Sequence, residues 1–364
     1  MTGSHETPAL VHDYLLVMRG AERTFAAIAD CWPGAPVRTL LFDPAGTEGR
    51  FDGRRITVSR LQRLGATQSG FRRLLPLFPL AAERLPVSDH RIVVSSSSAF
   101  AHGVRPADGA THVCYCHSPF RYVWHERETA LRELPALVRP ALGAVLAAIR
   151  RWDLAASERV THYVANSAIT RDRIGEFYGR EASIVHPPVA VERFTTAEPE
   201  DWYLTVSEVV RHKRIQVALE AARRAGRTIK VVGTGPDLSR LQREYHGHAE
   251  FLGRVSDEEL VGLYPRARAL VMANVEEFGI AGVEAQAAGR PVLAADGGGA
   301  RETVLEGETG HRVPVDDVEA LAEAMADADL DRLDPRRIVA NAERFSVARF
   351  QERLRAEVDR AVAA

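Results

Sequence analysis

The sequence is poor in cysteine and lacks long apolar runs. Its three cysteines, Cys31, Cys114 and Cys116, are too few and odd in number for a disulfide framework. No stretch of about 18 apolar residues occurs, so we expect no membrane-spanning helix. The first ten residues, MTGSHETPAL, lack the charged and apolar segments of a secretory signal. We therefore expect a cytoplasmic protein.

A strong charge of either sign is also absent. The net charge of the 364 residues is −2, which gives no reason to expect nucleic acid as a partner. Lysine is nearly missing, because Lys213 and Lys230 are the only two in the chain. What remains is an ordinary globular composition, 46% hydrophobic, in a chain long enough for two domains.

Short apolar segments alternate with helical periodicity, the pattern typical of α/β domains with parallel sheets. From residue 186 the Pro-rich, acidic sequence HPPVAVERFTTAEPEDW predicts a linker between two such series. We predict an N-terminal Rossmann-like domain (1–190), a C-terminal Rossmann-like domain (191–345) and a final helix (346–364). Its apolar stripe would dock the helix back on the N-terminal domain through Phe350, Leu354, Val358 and Val362.

Residues 274–292, NVEEFGIAGVEAQAAGRPV, place Glu276 and Glu284 around two glycines. A strand is expected to end near Asn274, and residues 283–288 read as a helix closed by Gly289. Residues 278–282 would then carry the free N–H groups of a helix start, which attract phosphates. Two carboxylates beside such a start could each hold a pair of sugar hydroxyls. The alternative is a plain strand–helix turn with solvent-facing glutamates.

This stretch resembles the E-x7-E motif of family 4 glycosyltransferases of the GT-B fold. Other segments carry the resemblance along nearly the whole chain: VHDYL, RGAER, YCHSPFRYVW, RWDLAASERV, YVANSAITRDRI, VHPPVAVERF and HKRI. The resemblance is to the branch that contains mannosyltransferases of O-antigen and capsule assembly. It implies two Rossmann-like domains whose parallel sheets face a central cleft.

The resemblance also implies roles for individual residues. Glu276 would bind hydroxyls of the donor sugar, and Glu284 would bind the ribose. Backbone amides of Phe278, Gly279 and Ile280 would hold sugar and phosphate. Lys213 would grip the diphosphate. The remaining donor-binding candidates, around the nucleoside and in the glycine-containing first loop, are Gly233, Gly235, Arg254, Val255 and Gly20.

In the N-terminal half, Asp13 and His117 follow predicted strands. Asp13 could orient an acceptor hydroxyl, or it could only cap the end of its strand. His117 corresponds to a histidine that contacts the transferred sugar in relatives. With Cys114 and Cys116 it could also suggest zinc, but no second ligand pair at metal spacing exists. We expect no metal site, and the Asp327-x-Asp329 sequence is expected to be a solvated face.

Two positions depart from the family pattern. Glu208 stands where many relatives have a phosphate-binding Arg, and a carboxylate there would repel a diphosphate. Either Glu208 turns away or the site is compromised, unless a neighbouring cation compensates. Arg211, His212 and Arg214 lie close enough in the sequence to replace the lost charge, and we expect Arg211 to do so. Glu277 stands where relatives usually have Gly, and its side chain is expected to point to solvent.

The resemblance implies a retaining, metal-independent hexosyltransferase without a cofactor, with mannose from GDP-mannose as the preferred donor. The implied mechanism is front-face substitution, in which the leaving phosphate takes the proton of the acceptor. The acceptor would be a glycan, a lipid-linked molecule or a small molecule. The alternatives are transfer of another UDP- or GDP-linked sugar to a natural product, and a non-catalytic sugar-nucleotide-binding protein. Segments 60–85 and 138–152 mix arginine with apolar residues, and predict either peripheral contact with the inner face of a membrane or core helices.

Overall fold

The computed structural model describes residues 6–64, 70–132 and 135–364. The chain forms two compact units. The first comprises Met1–His186 with Gln351–Ala364, and the second comprises Pro187–Phe350. The boundary at His186 lies at the start of the Pro-rich stretch that marks the linker in the sequence.

The first unit contains a seven-stranded sheet in which every strand pairing is parallel. Its strands are β1 (Ala9–Leu15), β2 (Val37–Phe42), β3 (Ile56–Val58), β4 (Ile92–Ser97), β5 (Thr111–Cys116), β6 (His162–Ala165) and β7 (Ala182–Ile184). Its helices are α1 (Gly20–Cys31), α2 (Phe78–Glu83), α3 (Arg127–Arg132), α4 (Arg139–Ser157) and α5 (Ala168–Tyr178). The strand order is β3-β2-β1-β4-β5-β6-β7.

The second unit contains a six-stranded sheet, again with parallel pairings throughout. Its strands are β8 (Trp202–Val206), β9 (Thr228–Val232), β10 (Ala249–Gly253), β11 (Leu270–Met272), β12 (Val292–Ala295) and β13 (Gly310–Val313). Its helices are α6 (Ile215–Arg224), α7 (Leu238–Glu244), α8 (Asp257–Leu263), α9 (Ile280–Ala287), α10 (Ala300–Thr303), α11 (Val318–Ala326) and α12 (Pro335–Ala342). The strand order is β10-β9-β8-β11-β12-β13.

Helices cover both faces of the second sheet, because its strands are apolar on both sides. On β8, Tyr203 packs in one core cluster with residues of α6 and α11, whereas Leu204 packs in another with residues of α9. The same alternation separates Val271 from Leu270. Strands buried on both faces are typical of doubly wound parallel sheets. The predicted class, α/β with two Rossmann-like parallel sheets, is therefore confirmed.

The helix of the glutamate motif begins earlier than the sequence predicts. It runs from Ile280 to Ala287, so the predicted start at residue 283 is wrong by three residues. The reason is Gly279, which occupies the left-handed region at φ 86° and turns the chain into the helix immediately. Gly282 lies inside the helix despite its low helix propensity. A larger residue there would collide with the side chain of Met272 in β11.

The last helix, α13 (Val347–Ala363), begins in the second unit and continues into the first. Phe350, Leu354 and Val358 of its predicted stripe are buried. Val362 is not, since 46% of it remains exposed, and Ala361 is buried in its place. Within the first unit, Gln351 Nε2 donates to the Ala27 carbonyl (3.1 Å), and the ring of His162 contacts Glu357 Oε2 (3.0 Å).

Candidate functional site

In both sheets the strand order reverses beside the first strand of the unit. The reversal lies between β1 and β4 in the first sheet, and between β8 and β11 in the second. Ligands of open parallel sheets bind outside the carboxyl ends of the strands at such a switch point. We therefore expect a ligand site at the loops that follow these four strands.

At the switch point of the second sheet, Lys213 and Glu276 form an ion pair. Lys213 Nζ donates to Glu276 Oε1 (2.7 Å) and Oε2 (2.8 Å), so one ammonium grips both carboxylate oxygens. Asn274 Nδ2 donates to the same Oε1 (2.9 Å). The side chains of Lys213 and Glu276 are only 22% and 23% exposed, so solvent screens this pair less than an ordinary surface pair. Lys213 comes from the loop after β8, and Glu276 from the loop after β11.

The loop that carries Glu276 is held by close backbone contacts. The Gly299 N–H donates to the Glu276 carbonyl (2.9 Å), and a side chain at Gly298 would collide with that carbonyl oxygen. Phe278 is buried and packs edge-on against Phe345, with ring centroids 5.4 Å apart. The glycine run 297–299 and the Phe278 anchor therefore fix the backbone from which Glu276 extends.

Helix α9 starts at Ile280, inside the stretch 278–282 for which the sequence predicts free N–H groups. The first N–H groups of a helix have no partner within it. Here the Gly282 N–H bonds to the Gly279 carbonyl at 3.0 Å, one turn earlier. Glu284 lies one turn into α9, and its Oε2 accepts a hydrogen bond from the hydroxyl of the buried Tyr264 (2.7 Å). Tyr264 thus orients the second glutamate of the motif.

Gly233 and Gly235 lie after β9, against the loop after β8. A side chain at Gly233 would collide with the Ser207 carbonyl oxygen, and one at Gly235 with the Val209 carbonyl oxygen. The two loops are also joined by a bond from the Val209 N–H to the Thr234 carbonyl (2.9 Å). These glycines therefore have a packing role, whatever ligand they approach. Arg254 is exposed and Val255 half-buried, directly after β10.

The residues that depart from the family pattern differ in exposure. Glu208 is exposed in the loop after β8, whereas Glu277 is half-buried rather than turned fully to solvent. Arg211 is exposed at the start of a short 3-10 turn, Arg211–Lys213. Arg214 is paired with Asp316 through Nη1 and Oδ1 at 3.1 Å. Arg211 is therefore better suited than Arg214 to supplement the charge of Lys213.

In the first unit, Asp13 is buried and accepts four backbone hydrogen bonds. Oδ2 accepts from the N–H groups of Ser98 (2.6 Å) and Ala99 (3.1 Å), and Oδ1 from those of Phe100 (2.8 Å) and Ala101 (2.6 Å). Both oxygens are therefore used to hold the loop after β4. The geometry favours the structural alternative for Asp13 over contact with an acceptor hydroxyl.

His117 follows β5 and is connected to the first strand through a serine. Its Nε2 lies 2.8 Å from Ser96 Oγ, and Ser96 Oγ lies 3.1 Å from Nδ1 of His12. Burial lowers the pKa of His117 to about 4. For His12 burial and the neighbouring His117 lower the pKa to about 3, against the raising effect of the Ser96 backbone bond. Both rings are therefore neutral at neutral pH.

Gly20 is exposed at the first residue of α1.

The cysteines lie in the interior rather than at a metal centre. Cys114 and Cys116 pack beside Tyr163 and Ile174, and burial raises the pKa of the Cys114 thiol to about 12. Within the described ranges, no group of three or more His, Cys, Asp and Glu residues is placed to hold a metal ion. Asp327 is exposed and caps the short turn that follows α11, through Oδ1 and the Asp329 N–H (2.8 Å).

The two arginine-rich apolar segments are partly exposed. Segment 60–85 lines a groove of about 670 Å³ with Arg60, Leu61, Leu77, Leu80 and Arg84. Residues 65–69 of this segment lie outside the described residues. Segment 138–152 lies largely in α4, where Leu146 and Ile149 are buried and Val138 is 45% exposed. In the described part of the chain, no helix combines the length and the apolar character needed to cross a membrane.

Sequence reasoning missed three residues that orient the candidate side chains: Ser96, Tyr264 and Asn274. Asn274 ends a predicted strand beside the motif, and Ser96 lies in the serine run at the end of a predicted strand. Both positions could have been named from the rule that strand ends carry function. Tyr264 gives no such signal, since an aromatic residue at the end of a helix is ordinarily a core residue.

A known protein family matches most of the second unit. Residues 191–345 match the family described as glycosyl transferases group 1. A GDP-mannose-dependent alpha-(1-6)-phosphatidylinositol monomannoside mannosyltransferase of Mycobacterium tuberculosis is 32% identical over 199 residues, 46% of this chain and 52% of that protein. The chain thus spans about half the length of the curated relatives it matches.

Two solved structures are similar over almost the whole chain. Sucrose-phosphate synthase from Thermosynechococcus elongatus has a TM-score of 0.72 and 17% identity, covering 98% of this chain and 99% of that one. HepE of Anabaena in complex with UDP-glucose has a TM-score of 0.71 and 18% identity, covering 97% and 99%. At such identities the likeness shows the fold alone, and it confirms the predicted GT-B fold. The family match confirms the predicted resemblance for residues 191–345.

Proposed function

Because residues 191–345 match the family of group 1 glycosyl transferases, we propose that this protein transfers a hexosyl unit from a nucleotide diphosphate sugar to an acceptor hydroxyl. The observation that carries the proposal is the Lys213–Glu276 pair beside the start of α9, at the switch point of the second sheet. A cation, two carboxylates and a helix start are what a phosphorylated sugar nucleotide requires.

On the donor side, Lys213 and the first N–H groups of α9, with Gly279 and Ile280, bind the diphosphate. Arg211 adds charge. Glu284, oriented by Tyr264, binds the ribose, and Glu276 binds hydroxyls of the transferred sugar. Gly233, Gly235, Arg254 and Val255 lie on the loops after β9 and β10 and are proposed to border the nucleoside.

We propose GDP-mannose as the donor. The support is that the chain is 32% identical, over about half of each protein, to a mannosyltransferase named as GDP-mannose-dependent. The UDP-glucose complex of HepE, a neighbour in fold, is why UDP sugars belong in the same test. Transfer proceeds with retention by front-face substitution, without a metal or other cofactor, and the leaving phosphate takes the proton of the acceptor.

On the acceptor side, His117 contacts the transferred sugar or the attacking hydroxyl, whereas Asp13 acts by fixing the loop of residues 98–101. We propose a lipid-linked glycan or polyol as acceptor and peripheral contact with an anionic membrane. The support is the groove of segment 60–85, where Leu77 and Leu80 are 45% and 49% exposed and Arg60 and Arg84 line the same groove.

The membrane proposal is tested by sedimentation with vesicles of anionic or zwitterionic lipid. Binding to the anionic vesicles that falls on Leu80→Gln, and on Arg84→Gln, supports it. Leu305→Gln serves as control, since Leu305 is an exposed leucine of the second unit. Equal recovery with both vesicle types would refute an electrostatic membrane contact without affecting the donor proposal.

The donor proposal is tested by thermal shift and slow donor hydrolysis with a panel of GDP and UDP sugars. A ligand at a hundred times its dissociation constant adds about 2.7 kcal/mol to the free energy of unfolding, which a thermal shift resolves. Stabilisation and hydrolysis with GDP-mannose alone would support the full proposal. Stabilisation and hydrolysis with a UDP sugar instead would support the proposed reaction class and overturn GDP-mannose as the donor. Binding without turnover, with any acceptor tried, would indicate a non-catalytic binding protein.

A further inference from the structure

Three side chains at the switch point of the first sheet form a continuous hydrogen-bonded chain. His12 Nδ1 lies 3.1 Å from both the backbone oxygen and Oγ of Ser96, and Ser96 Oγ lies 2.8 Å from His117 Nε2. Ser96 is fully buried. The His12 ring is stacked on Phe25, with centroids 4.6 Å apart, so it is fixed in orientation.

The protons of this chain can be placed from its fixed end. A backbone carbonyl only accepts, so His12 Nδ1, at hydrogen-bond distance from the Ser96 carbonyl, carries a proton. Ser96 Oγ faces that N–H and therefore accepts from it. Its own hydrogen then has one acceptor available among the described residues, His117 Nε2. The reverse arrangement would leave a buried hydroxyl hydrogen between two N–H donors, which is unfavourable.

When Nε2 accepts, the proton of a neutral imidazole resides on Nδ1. Both rings are neutral at neutral pH, because burial lowers the pKa of His117 to about 4 and that of His12 to about 3. His117 Nδ1 has no hydrogen-bond partner in the described part of the protein, and it is not among the buried unpaired polar atoms. It is thus an accessible N–H donor.

We infer that His12 and Ser96 are positioning residues that hold His117 as its Nδ1–H tautomer, so that His117 donates a hydrogen bond to a substrate oxygen and cannot act as a base. The substrate part of this inference rests on the proposed function, whereas the tautomer does not. In this arrangement both ring nitrogens are committed, one to the serine and one to the donated hydrogen bond. The proton of the attacking hydroxyl must therefore leave by another route, as front-face substitution provides.

The tautomer is measured directly on the full-length protein by two-bond 1H–15N correlation spectra of 15N-histidine-labelled samples. His117 is assigned from the spectrum of His117→Gln. We expect its Nδ1 to show the protonated shift and its Nε2 the unprotonated shift at pH 7. The opposite assignment would overturn the inference, whether or not the protein proves to be a transferase.

The positioning role is measured by Ser96→Ala, with Ser95→Ala as a matched control. Ser95 is the preceding residue of β4 and is also fully buried, but its hydroxyl contacts His112 Nε2 (2.8 Å) instead. We expect Ser96→Ala to mix the two tautomers of His117 and to lower kcat roughly tenfold with little change in the donor KM. Ser95→Ala should change neither the spectrum of His117 nor kcat by more than about twofold.

A second pair of variants separates positioning from folding. His12→Asn keeps an N–H near the place of Nδ1 and should retain part of kcat, whereas His12→Leu should lose as much as Ser96→Ala. An unaltered His117 tautomer in both Ser96→Ala and His12→Leu would contradict the inference. If these variants fail to fold, the spectrum of the unmutated protein still decides the tautomer.

Discussion

The two switch points use opposite chemistry. In the first unit, the side chains that meet are the neutral His12 of β1, Ser96 of β4 and His117, which directly follows β5. In the second unit, beyond β8 and β11, an ammonium meets a carboxylate. The same topology thus presents a hydrogen-bond donor without charge in one unit and a charged pair in the other. A diphosphate needs the second arrangement, and a hydroxyl or a transferred sugar is suited to the first.

The charged residue that is buried at the first switch point supports this division. Asp13 has both carboxylate oxygens occupied by backbone N–H groups, so its charge is compensated within the loop that it holds. In the second unit the charge of Glu276 is compensated by Lys213, a side chain that can change partner. A ligand phosphate can compete for Lys213, whereas no ligand group competes readily for four backbone amides.

The largest effect is expected for His117→Ala, which removes the neutral donor of the first unit. Loss of one preorganised donor to a reacting group lowers turnover by about a hundredfold. Calorimetry should find GDP affinity unchanged within about twofold, because we propose that the diphosphate binds the other unit. Since the pKa of His117 is lowered to about 4, it stays neutral above that pH, and the difference between wild type and variant should not change from pH 6 to pH 8. Normal turnover in this variant, with His125→Ala as the exposed control, would return His117 to a structural role.

The second largest effect is expected for Lys213→Ala, which removes the cation of the Lys213–Glu276 ion pair. A charge-assisted hydrogen bond contributes about 1.5–3 kcal/mol, so GDP should bind about ten- to a hundredfold more weakly. The control is Lys230→Ala. Lys230 is the one other lysine, and it is paired with Glu250 (3.1 Å) and stacked over Trp202. Unchanged GDP affinity in Lys213→Ala would remove the basis for the diphosphate assignment.

Glu276→Gln separates the two members of the ion pair. The neutral amide no longer competes with phosphate for Lys213, so free GDP should bind about three- to tenfold more tightly. Transfer should nevertheless fall about tenfold, because the sugar hydroxyl that we propose to bind Glu276 would lose its carboxylate partner. Calorimetry and initial rates on the same preparation measure both. Weaker GDP binding would show that Glu276 helps to hold the nucleotide instead of competing with it.

The smallest effect is expected for Glu208→Arg, which restores the residue that many relatives carry. Glu208 is exposed, so solvent screens its charge and the change should be worth less than about 1 kcal/mol. GDP should bind up to about fivefold more tightly, and less so at high salt. Glu208→Gln should give a smaller gain. No gain in either variant would mean that Arg211 already supplies the charge that the site can use.

The fold was largely predictable because central parallel strands are nearly continuous apolar runs. Strands β3, β7 and β13 have only three or four residues and are partly exposed, so Ile56–Val58, Ala182–Ile184 and Gly310–Val313 gave no periodic signal. The start of α9 was misplaced because glycine propensity argues against a helix, whereas in the protein Gly279 provides the turn that begins it.

The candidate site was predictable where it rests on a local motif, as for Glu276 and Glu284. It was not predictable where it rests on pairs that are distant in sequence. Lys213 and Glu276 are 63 residues apart, and Ser96 is 84 residues from His12. The partners of Asp13 are backbone amides, which every residue except proline carries, so no sequence pattern could have named them.

The path of α13 has a consequence for synthesis. Residues 351–364 belong to the first unit, yet the ribosome makes them after all of the second unit. Domains ordinarily fold in the order in which they emerge. Here the first unit emerges before Leu354 and Val358, so the apolar surface that these residues cover stays exposed until they are made. All residues of the second unit have been made by then. A released chain that ends at Phe350 should therefore expose the first unit, and not the second, to protease and chaperones.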